Sequence, residues 1–269
     1  MIKQRNKFAE ILQKYKYKLH SGDIVAGTVM HDEKRGFLVD IGTEHVGYLP
    51  KEEVLVNCKN KKNSNLKLIN TTRDFFLVTE NLYTKQCVLS IKRLDYIRAW
   101  KRIKQMYLED IIFNLTIQHI NKGGIITYLE GIQGFIPNSH LCIVKKDFNF
   151  QLMKNKQIQC KILTINENKN QLILSHKSAS LTLSSHKFKI GELIYGEVIV
   201  VKSYGLFMNV HGIKALLHIS EIGYINNYVG IFKTGKFIKV KIIHLNNKYG
   251  KISVSLRNLK NITTHHQQY

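Results

Sequence analysis

The stretch Gly191–Arg257 decides the fold: it runs GELIYGEVIVVKSYGLFMNVHGIKALLHISEI over residues 191–222 and GKFIKVKIIHLNNKYGKISVSLR over residues 235–257. Short runs rich in β-branched and aromatic residues alternate in it with Gly, Asn and Ser, which predicts about five strands joined by turns. A sheet this small has few ways to protect its edges. Closure into a barrel removes the edges, so the stretch predicts a small closed barrel.

Two earlier segments repeat the landmarks of this stretch in the same order. A glycine begins the second strand, a third strand follows at a fixed distance, and a serine ends the fifth. These landmarks are Gly36, Gly124 and Gly205; Pro50, Pro137 and His218; and Ser90, Ser175 and Ser255. The only two prolines of the chain occupy the same place in successive repeats. The chain therefore predicts three copies of one barrel, with the glycine at a tight bend.

The repeats and the residues between them divide the chain into segments. Trp100 lies in a run with helical spacing of apolar residues, and we expect it to anchor that helix by packing; base stacking is the alternative. A Ser-rich linker over 178–187 is expected to be flexible. The remaining predicted segments are a basic N-terminal helix over 1–18, repeat one over 19–93, a linker helix over 94–108, repeat two over 109–177, repeat three over 188–258 and a disordered tail over 259–269.

The charge of the chain predicts a polyanionic partner. Lys and Arg number 41 against 19 Asp and Glu, a formal charge of +22. Nucleic acid and anionic membrane surfaces are the usual partners of such an excess. Drift of the composition toward Lys, as in an A+T-rich genome, is the alternative. Uniform drift would raise the charge of all repeats alike, yet repeat three carries +7 against +2 and +3. Repeat three is therefore the first place to look for polyanion contact.

The sequence lacks the signatures of other classes of function. The chain shows no nucleophile–base pair, phosphate loop or paired-carboxylate metal site, and none of its four cysteines lies in a C-x-x-C pair. We therefore expect no enzyme, no cofactor, no metal and no small-molecule substrate. No apolar run is long enough to span a membrane, and the N-terminus resembles neither a signal peptide nor a transit peptide. We expect a protein that works where it is made.

Repeat three also carries the kinds of side chain that bind single-stranded nucleic acid. Such sites combine aromatic rings under bases with cations along phosphates. Tyr204 and Phe207 flank Gly205, and a spacing of three along a strand places side chains on opposite faces. A bulge at Gly205 is expected to bring both rings to one face. The other candidate residues are His218, Lys202, Lys251 and Arg257.

Each of these residues also has a purely structural interpretation. Phe207 suits the barrel core, and His218 suits a hydrogen bond that caps the loop. Four further lysines suit either phosphate contact or a solvated face: Lys233, Lys236, Lys239 and Lys241. The other repeats lack the aromatic pair and the histidine, because they carry Arg35 and Leu38, or Gly123 and Ile126, with proline for His218. We therefore expect weaker RNA contact there, or binding to protein.

The landmarks resemble a known family. GEVIVVKSYGLFMNV (196–210), ALLHISEI (215–222) and KVKIIHLNNKYGKISVSL (239–256) resemble the RNA-binding domain named after ribosomal protein S-one. FAEILQKYKYKLHSGDIVAGTV (8–29), SIKRLDYIRAWKRI (90–103), NKGGIITYLEGIQGFIPNSH (121–140) and LILSHKSA (172–179) resemble its three-repeat form in cyanobacteria and plastids. The resemblance covers about residues 8–258. It implies an all-β fold of three tandem five-stranded OB-fold barrels, with a connecting helix and a short N-terminal helix.

The resemblance also implies a site and a function. In that family the RNA face matches Tyr204, Phe207, His218, Asn246 and Lys251; Asn246 replaces the usual Asp, in a hairpin one residue longer. The implied function is a component of the small ribosomal subunit that binds single-stranded mRNA and promotes initiation, with the N-terminal repeats docking on the ribosome. The expected place is the plastid, with a bacterial cytoplasm second. The alternatives are an RNA-binding accessory to a ribonuclease or RNA-degradation complex and a purely structural docking protein.

Overall fold

The computed structural model describes residues 19–43, 46–54, 68–80, 86–142, 155–223, 231–257 and 259. The predicted N-terminal helix over 1–18 lies outside the described residues. So does the predicted tail, except that Leu259 packs against the core of repeat three. The chain forms two compact units, residues 1–102 and 103–269. Repeat one lies in the first unit, and repeats two and three share the second.

Repeat one is a closed barrel with the strand order β1-β2-β3-β5-β4. Side chains alternate between the inside and the outside along each strand, as a half-buried strand requires. The largest inward side chains are Phe37, Leu49, Phe75, Leu77 and Leu89, all fully buried. The strands are β1 (Ile24–Asp32), β2 (Gly36–Asp40), β3 (Gly47–Pro50), β4 (Thr72–Glu80) and β5 (Cys87–Ser90).

Repeat two has the same connections but six strands, where five were predicted. They are β6 (Ile112–Thr116), β7 (His119–Asn121), β8 (Gly124–Leu129), β9 (Ile132–Pro137), β10 (Gln157–Asn166) and β11 (Gln171–Ser175), in the order β6-β10-β11-β9-β8-β7. The sixth strand arises because the first strand of the repeat is interrupted at residues 117–118. The Gln118 amide still donates to the Ile126 carbonyl (3.1 Å), which joins the interrupted stretch to β8.

Repeat three is again a closed barrel, with the order β12-β13-β14-β16-β15. Val198, Leu206, Met208, Val240 and Val254 form part of its buried core. The strands are β12 (Leu193–Lys202), β13 (Gly205–Val210), β14 (Ile213–His218), β15 (Phe237–Asn246) and β16 (Lys251–Ser255). The predicted count of three barrels is therefore confirmed.

The interruption in repeat two falls where the other repeats have a β-bulge. The pairing of the first two strands shifts between Val29 and His31 in repeat one and between Val198 and Val200 in repeat three. Ile117 occupies the place of Val29 and Val198. The amide of each of these three residues donates to a carbonyl just before the fourth strand: Thr71, Lys156 and Lys236, at 3.2, 3.0 and 2.9 Å. A bulge leaves a residue unpaired, and in repeat two the pairing is lost for long enough to divide the strand.

Only glycine fits at the start of the second strand, because the backbone of the third strand lies against it. A Cβ atom on Gly36, Gly124 or Gly205 would lie 2.7, 2.1 or 2.3 Å from a backbone oxygen. Those oxygens belong to Leu49, Ile136 and Leu217. Gly205 also has a φ of 150°, which disfavours any other residue. The glycine landmark thus marks a close approach of two neighbouring strands.

The serine that ends the fifth strand joins the barrel to the turn after the third strand. Ser90 Oγ donates to Glu53 Oε2 and Ser255 Oγ to Glu221 Oε2, both at 2.6 Å. In repeat two, Ser175 Oγ lies 3.0 Å from His140 Nδ1. Each hydroxyl also accepts a backbone N–H from Arg93, Ser178 or Arg257, at 2.9, 3.2 and 3.0 Å. The serine therefore starts the segment that follows each barrel.

Two helices follow repeats one and two. Helix α1 (Ile91–Leu108) is the predicted connecting helix, and Trp100 within it is fully buried, as expected of a packing anchor. Helix α2 (His176–Leu183) occupies most of the stretch that was expected to be a flexible linker. That expectation was wrong, because Ser175 caps the helix and Ala179 and Leu181 are buried beneath it. Neither helix has the length and hydropathy of a membrane span.

Candidate nucleic-acid interface

The outward face of β13, β14 and β16 in repeat three gathers most of the predicted site residues. Phe207 pairs with Leu216, and Gly205 pairs with His218, across β13 and β14. Strand β16 runs parallel to β14, with Ala215 beside Ile252. Because side chains alternate along a strand, Phe207, Lys214 and Lys251 share this face. We call the outward face of these three strands, together with the turn at Tyr204, the aromatic–lysine face.

Tyr204 and Phe207 contact each other edge to face. Their ring centroids lie 6.1 Å apart and the ring planes meet at 82°. Tyr204 is 48% exposed, and Phe207 is half-buried, so Phe207 is not a core residue. The expected bulge at Gly205 is wrong, since the pairing of β13 with β12 and β14 is regular there. Tyr204 instead precedes β13 in a turn, where strand alternation does not apply.

His218 both caps the turn after β14 and remains exposed. The Ser220 amide donates to His218 Nδ1 at 3.3 Å, and Ser220 Oγ lies 2.8 Å from the same nitrogen. The capping interpretation is therefore confirmed. With Nδ1 accepting, the proton of a neutral ring sits on Nε2, the nitrogen that faces away from the cap. The Ile219 amide donates to the Tyr204 carbonyl at 3.0 Å, which keeps His218 beside the aromatic pair.

Lys214 belongs to this site, although the sequence pattern does not indicate it. Its Nζ atom lies 4.1 Å from the centroid of the Phe207 ring, a cation–π contact. Lys251 stands beside it on the neighbouring strand, with its Nζ atom 5.8 Å from the Tyr249 ring. Alternation along the third strand would place Lys214 on the face of His218. The contact of Lys214 with Phe207 depends on which residues of β13 and β14 pair with each other. The sequence pattern alone does not show that pairing.

A third lysine reaches this face from the end of repeat two. Lys177 Nζ donates to the Ser139 carbonyl at 2.6 Å, and Gly250 packs against its backbone. Partial burial, followed by the charges of Lys214 and Lys251, lowers the pKa of Lys177. Burial, followed by the charges of Lys177 and Lys251, also lowers the pKa of His140. The ammonium group of Lys177 is therefore close enough to those of Lys214 and Lys251 to be repelled by both.

The junction between repeats two and three is held by direct hydrogen bonds. Ser178 Oγ donates to the Asn247 carbonyl at 2.7 Å. Cys142 Sγ donates to the Gly212 carbonyl at 3.0 Å. Both bonds join residues of repeat two or its following helix to hairpins of repeat three. The position of Lys177 beside repeat three is therefore fixed by the fold.

Three predicted site residues remain, and they are Asn246, Lys202 and Arg257. Asn246 Oδ1 accepts the Tyr249 amide at 3.2 Å, so this side chain shapes the hairpin between β15 and β16. Asn166 makes the corresponding bond with the Lys169 amide in repeat two. Lys202 is exposed at the end of β12, next to the turn that carries Tyr204. Arg257 is exposed after β16, and no described contact joins it to the aromatic pair.

Repeats one and two carry an aromatic ring on the neighbouring strand instead. Tyr48 pairs with Leu38 in β3 and β2, and Phe135 pairs with Ile126 in β9 and β8. Both rings are half-buried and lie against the landmark glycines, which are Gly36 and Gly124. The described residues of these repeats therefore show no counterpart of the contacting ring pair of repeat three, Tyr204 and Phe207.

The described residues contain no group of three or more His, Cys, Asp or Glu side chains that could hold a metal ion. Cys160 is buried, and burial raises its pKa to about 12. A thiol with that pKa stays protonated and is a poor nucleophile.

Comparison with known proteins assigns the barrels. The S1 RNA binding domain family matches residues 112–177 and 187–257, which are repeats two and three. The chain is 48% identical over 256 residues to the small ribosomal subunit protein bS1c of Pyropia yezoensis, covering 94% of this chain and 95% of that protein. It is 37% identical to the small ribosomal subunit protein bS1A of Synechocystis, covering 94% of this chain and 76% of that protein.

The fold and the matched domains define a protein built from S1-type RNA-binding barrels. With this identity over nearly its whole length, the chain belongs to the bS1 family of small ribosomal subunit proteins.

Proposed function

We propose that this chain is a component of the small subunit of a plastid ribosome, where it binds single-stranded mRNA and promotes initiation. The observation that carries the proposal is the aromatic–lysine face, where Tyr204 and Phe207 stand beside Lys214. The relatives named bS1c and bS1A support the ribosomal assignment, and the red algal relative supports the plastid. We place the protein in the plastid stroma.

The charges of the face favour a phosphate backbone as its ligand. Like charges side by side on neighbouring strands destabilise a sheet. Lys214 and Lys251 are such a pair, and Lys177 adds a third charge. No described carboxylate forms an ion pair with any of these three lysines. A phosphate bound among the three lysines removes their repulsion. The relief of that repulsion adds to the free energy of RNA binding.

The rings select single strands. Each base that stacks on an aromatic side chain contributes about 1–3 kcal/mol, and every base has a face to offer. A base-paired duplex keeps its bases stacked on one another and cannot place one on Tyr204. His218 is exposed, and with its Nδ1 engaged by the cap its Nε2–H is left to act as a hydrogen-bond donor. The face therefore suits unpaired RNA of varied sequence, as expected of a protein that captures many messages.

The repeats divide the work in this proposal. Repeat three grips RNA, because it combines the Tyr204–Phe207 ring pair with the +7 charge. Repeats one and two, which lack that pair, anchor the chain on the ribosome. The protein acts by binding alone and carries out no reaction.

The test is a paired substitution, Tyr204→Ala with Phe207→Ala, measured with an unstructured RNA oligonucleotide at fixed moderate salt. We expect affinity to fall by about 10- to 100-fold, because one or more stacked bases are lost. Tyr128→Ala in repeat two is the matched control, since Tyr128 is also 48% exposed. Circular dichroism checks that both variants are folded. Unchanged affinity in the double variant would refute the stacking surface.

A second measurement tests the ribosomal part. The full chain is sedimented with small ribosomal subunits before and after nuclease removes mRNA. We expect the chain to stay with the subunit after nuclease, because the anchoring repeats do not need mRNA. Release by nuclease would mean that the chain follows mRNA alone and is not a ribosomal component.

A further inference from the structure

The helix that follows repeat two packs directly against the last hairpin of repeat three. Gly250 of that hairpin has no room for a side chain, because a Cβ atom there would lie 2.5 Å from the carbonyl carbon of Lys177. The Ser178 hydroxyl donates to the Asn247 carbonyl of the same hairpin at 2.7 Å. The hairpin between β15 and β16 and the first residues of α2 therefore form one surface, which we call the junction.

The hairpin at the junction carries an aromatic ring. Tyr249 is 42% exposed, and the Nζ atom of Lys251 lies 5.8 Å from the centroid of its ring. Lys251 occupies the position of β16 next to Lys214 of β14, and Lys214 lies over the Phe207 ring. Two rings, each with a lysine beside it, thus line the surface from β13 to the hairpin.

Repeat two contributes a cation to the same surface. Lys177 Nζ donates to the Ser139 carbonyl at 2.6 Å, which holds the ammonium group at the junction. The charges of Lys214 and Lys251 both act on it. Among the described residues, no carboxylate forms an ion pair with Lys177. The junction therefore combines positive charge from two repeats.

A histidine stands at the junction where the other repeats have a glutamate. The third residue of the turn after the third strand is Glu53, His140 or Glu221, and each contacts the serine that ends the fifth strand. Burial, followed by the charges of Lys177 and Lys251, lowers the pKa of His140, so both lysines lie near its ring. A glutamate in its place would neutralise part of their charge. The histidine therefore keeps the lysine charge available to a phosphate.

We propose that the junction is a second nucleotide subsite, in which Tyr249 stacks a base while Lys177 and Lys251 bind the adjoining phosphate. The inference rests on the function proposed above, because the strand that occupies the junction is the one held by the aromatic–lysine face. It gives repeat two a part in RNA binding besides its anchoring role. His140 acts by carrying no negative charge, since a carboxylate there would compete with the phosphate.

RNA suits the junction better than an acidic protein segment does. An exposed ring beside an ammonium group can hold the base and the phosphate of one nucleotide, whereas an acidic segment would use the cations alone. The junction also adjoins the aromatic–lysine face through Lys214 and Lys251, so one strand can occupy both. Only a strand long enough to extend beyond Tyr204 and Phe207 would gain from the second subsite.

The first test compares two lengths of unstructured RNA on the full chain. The oligonucleotides have roughly 4 and about 16 nucleotides, the limits of the range that one OB fold covers. Tyr249→Ala should weaken the longer one about tenfold and leave the shorter one unchanged, because only the longer strand reaches the junction. Fluorescence anisotropy at fixed moderate salt gives the dissociation constants, and Tyr128→Ala on β8 is the matched control. Equal losses for both lengths, or no loss for either, would overturn the second subsite.

The second test changes the charge at the junction. His140→Glu copies the residue of repeats one and three, so the barrel should stay folded, which urea unfolding checks. We expect weaker binding of the longer oligonucleotide and a slope of log affinity against log salt reduced by about 0.7, as for the loss of one phosphate contact. Lys177→Gln should reduce the slope by the same amount. His140→Gln adds no charge and is the matched control, so equal behaviour of the two His140 variants would refute the proposal.

The variants also separate this proposal from the function proposed above. If Tyr204→Ala with Phe207→Ala weakens binding while Tyr249→Ala and His140→Glu do not, the function stands and the second subsite is refuted. The reverse result would refute the ring pair and keep the junction. Polyglutamate is the probe for an acidic protein partner. If it binds the wild type more tightly than the longer oligonucleotide does, and His140→Glu abolishes that binding, the proposal is overturned.

Discussion

The Lys214 ammonium group lies 4.1 Å from the centroid of the Phe207 ring. A cation over an aromatic face joins the two kinds of contact that a nucleotide needs, a surface for the base and a charge for the phosphate. The neighbouring Tyr204 ring extends the surface edge to face. The arrangement leads to the following expectations.

Lys214 and Phe207 should act on RNA as a coupled pair. We expect Phe207→Leu and Lys214→Met each to weaken binding of an unstructured oligonucleotide, and the double variant to lose less than the sum. The expected coupling free energy is about 0.5–1 kcal/mol, as for other exposed cation–π pairs. Titrations of the wild type and the three variants at one salt concentration form the double-mutant cycle. Strict additivity would show that the lysine and the ring act separately.

The lysines of the aromatic–lysine face should set the salt dependence of binding. Each contact between a lysine and a phosphate contributes about 0.7 to the slope of log affinity against log salt for a single strand. We expect Lys214→Gln with Lys251→Gln to reduce the slope by about 1.4. Their removal also ends a like-charge repulsion, so the free energy of unfolding should not fall. Lys239→Gln with Lys241→Gln on β15 serves as the control and should change the slope less.

Two histidines should make the stability of repeat two depend on pH. Burial is the main cause that lowers the pKa of both His140 and His176 below the ordinary value of 6.5. As the pH falls through that value, the unfolded chain takes up protons before the folded chain does. The stabilisation is therefore complete above about pH 6.5 and is lost progressively below it.

Urea unfolding at a series of pH values and constant ionic strength measures this dependence. His140→Gln with His176→Asn should flatten the curve between about pH 7 and 5. An unflattened curve would assign the dependence to other groups.

The serine at the end of the fifth strand should stabilise repeat three. Ser255→Ala removes the bond to Glu221 and the cap on the Arg257 amide. We expect a loss of about 1.5–3 kcal/mol in the free energy of unfolding, the range for hydrogen bonds to charged groups. Ser253→Ala is the control, because Ser253 is only half-buried on the same strand. Equal losses in the two variants would mean that the bond to Glu221 contributes nothing.

The sequence predicts the barrels well because their landmarks are backbone requirements. The glycines and serines recur in all three repeats, since each glycine lies against the third strand and each serine meets the turn after that strand. Helix α2 was missed because its serines suggested a linker. Its stability comes from burial of Ala179 and Leu181, which is a tertiary effect.

The candidate site was predicted in part, for a different reason. Tyr204, Phe207 and His218 could be found, because they are close in sequence to the landmark glycine and the end of the third strand. Lys214 was missed because its contact with Phe207 depends on the register between strands. Lys177 was missed because it comes from the previous repeat and meets the face only through the junction. Local patterns cannot show contacts between segments that are distant in sequence.

The landmark glycine also bears on how one barrel acquired several tasks by duplication. Its place against a backbone oxygen leaves no room for change, as Gly36, Gly124 and Gly205 show. The residue just before it is under no such restriction, and it is Arg35, Gly123 or Tyr204 in the three copies. A copy can therefore gain or lose a binding surface by changing a turn residue while the adjoining strand stays the same. New roles can evolve beside this glycine without repeating the evolution of the fold.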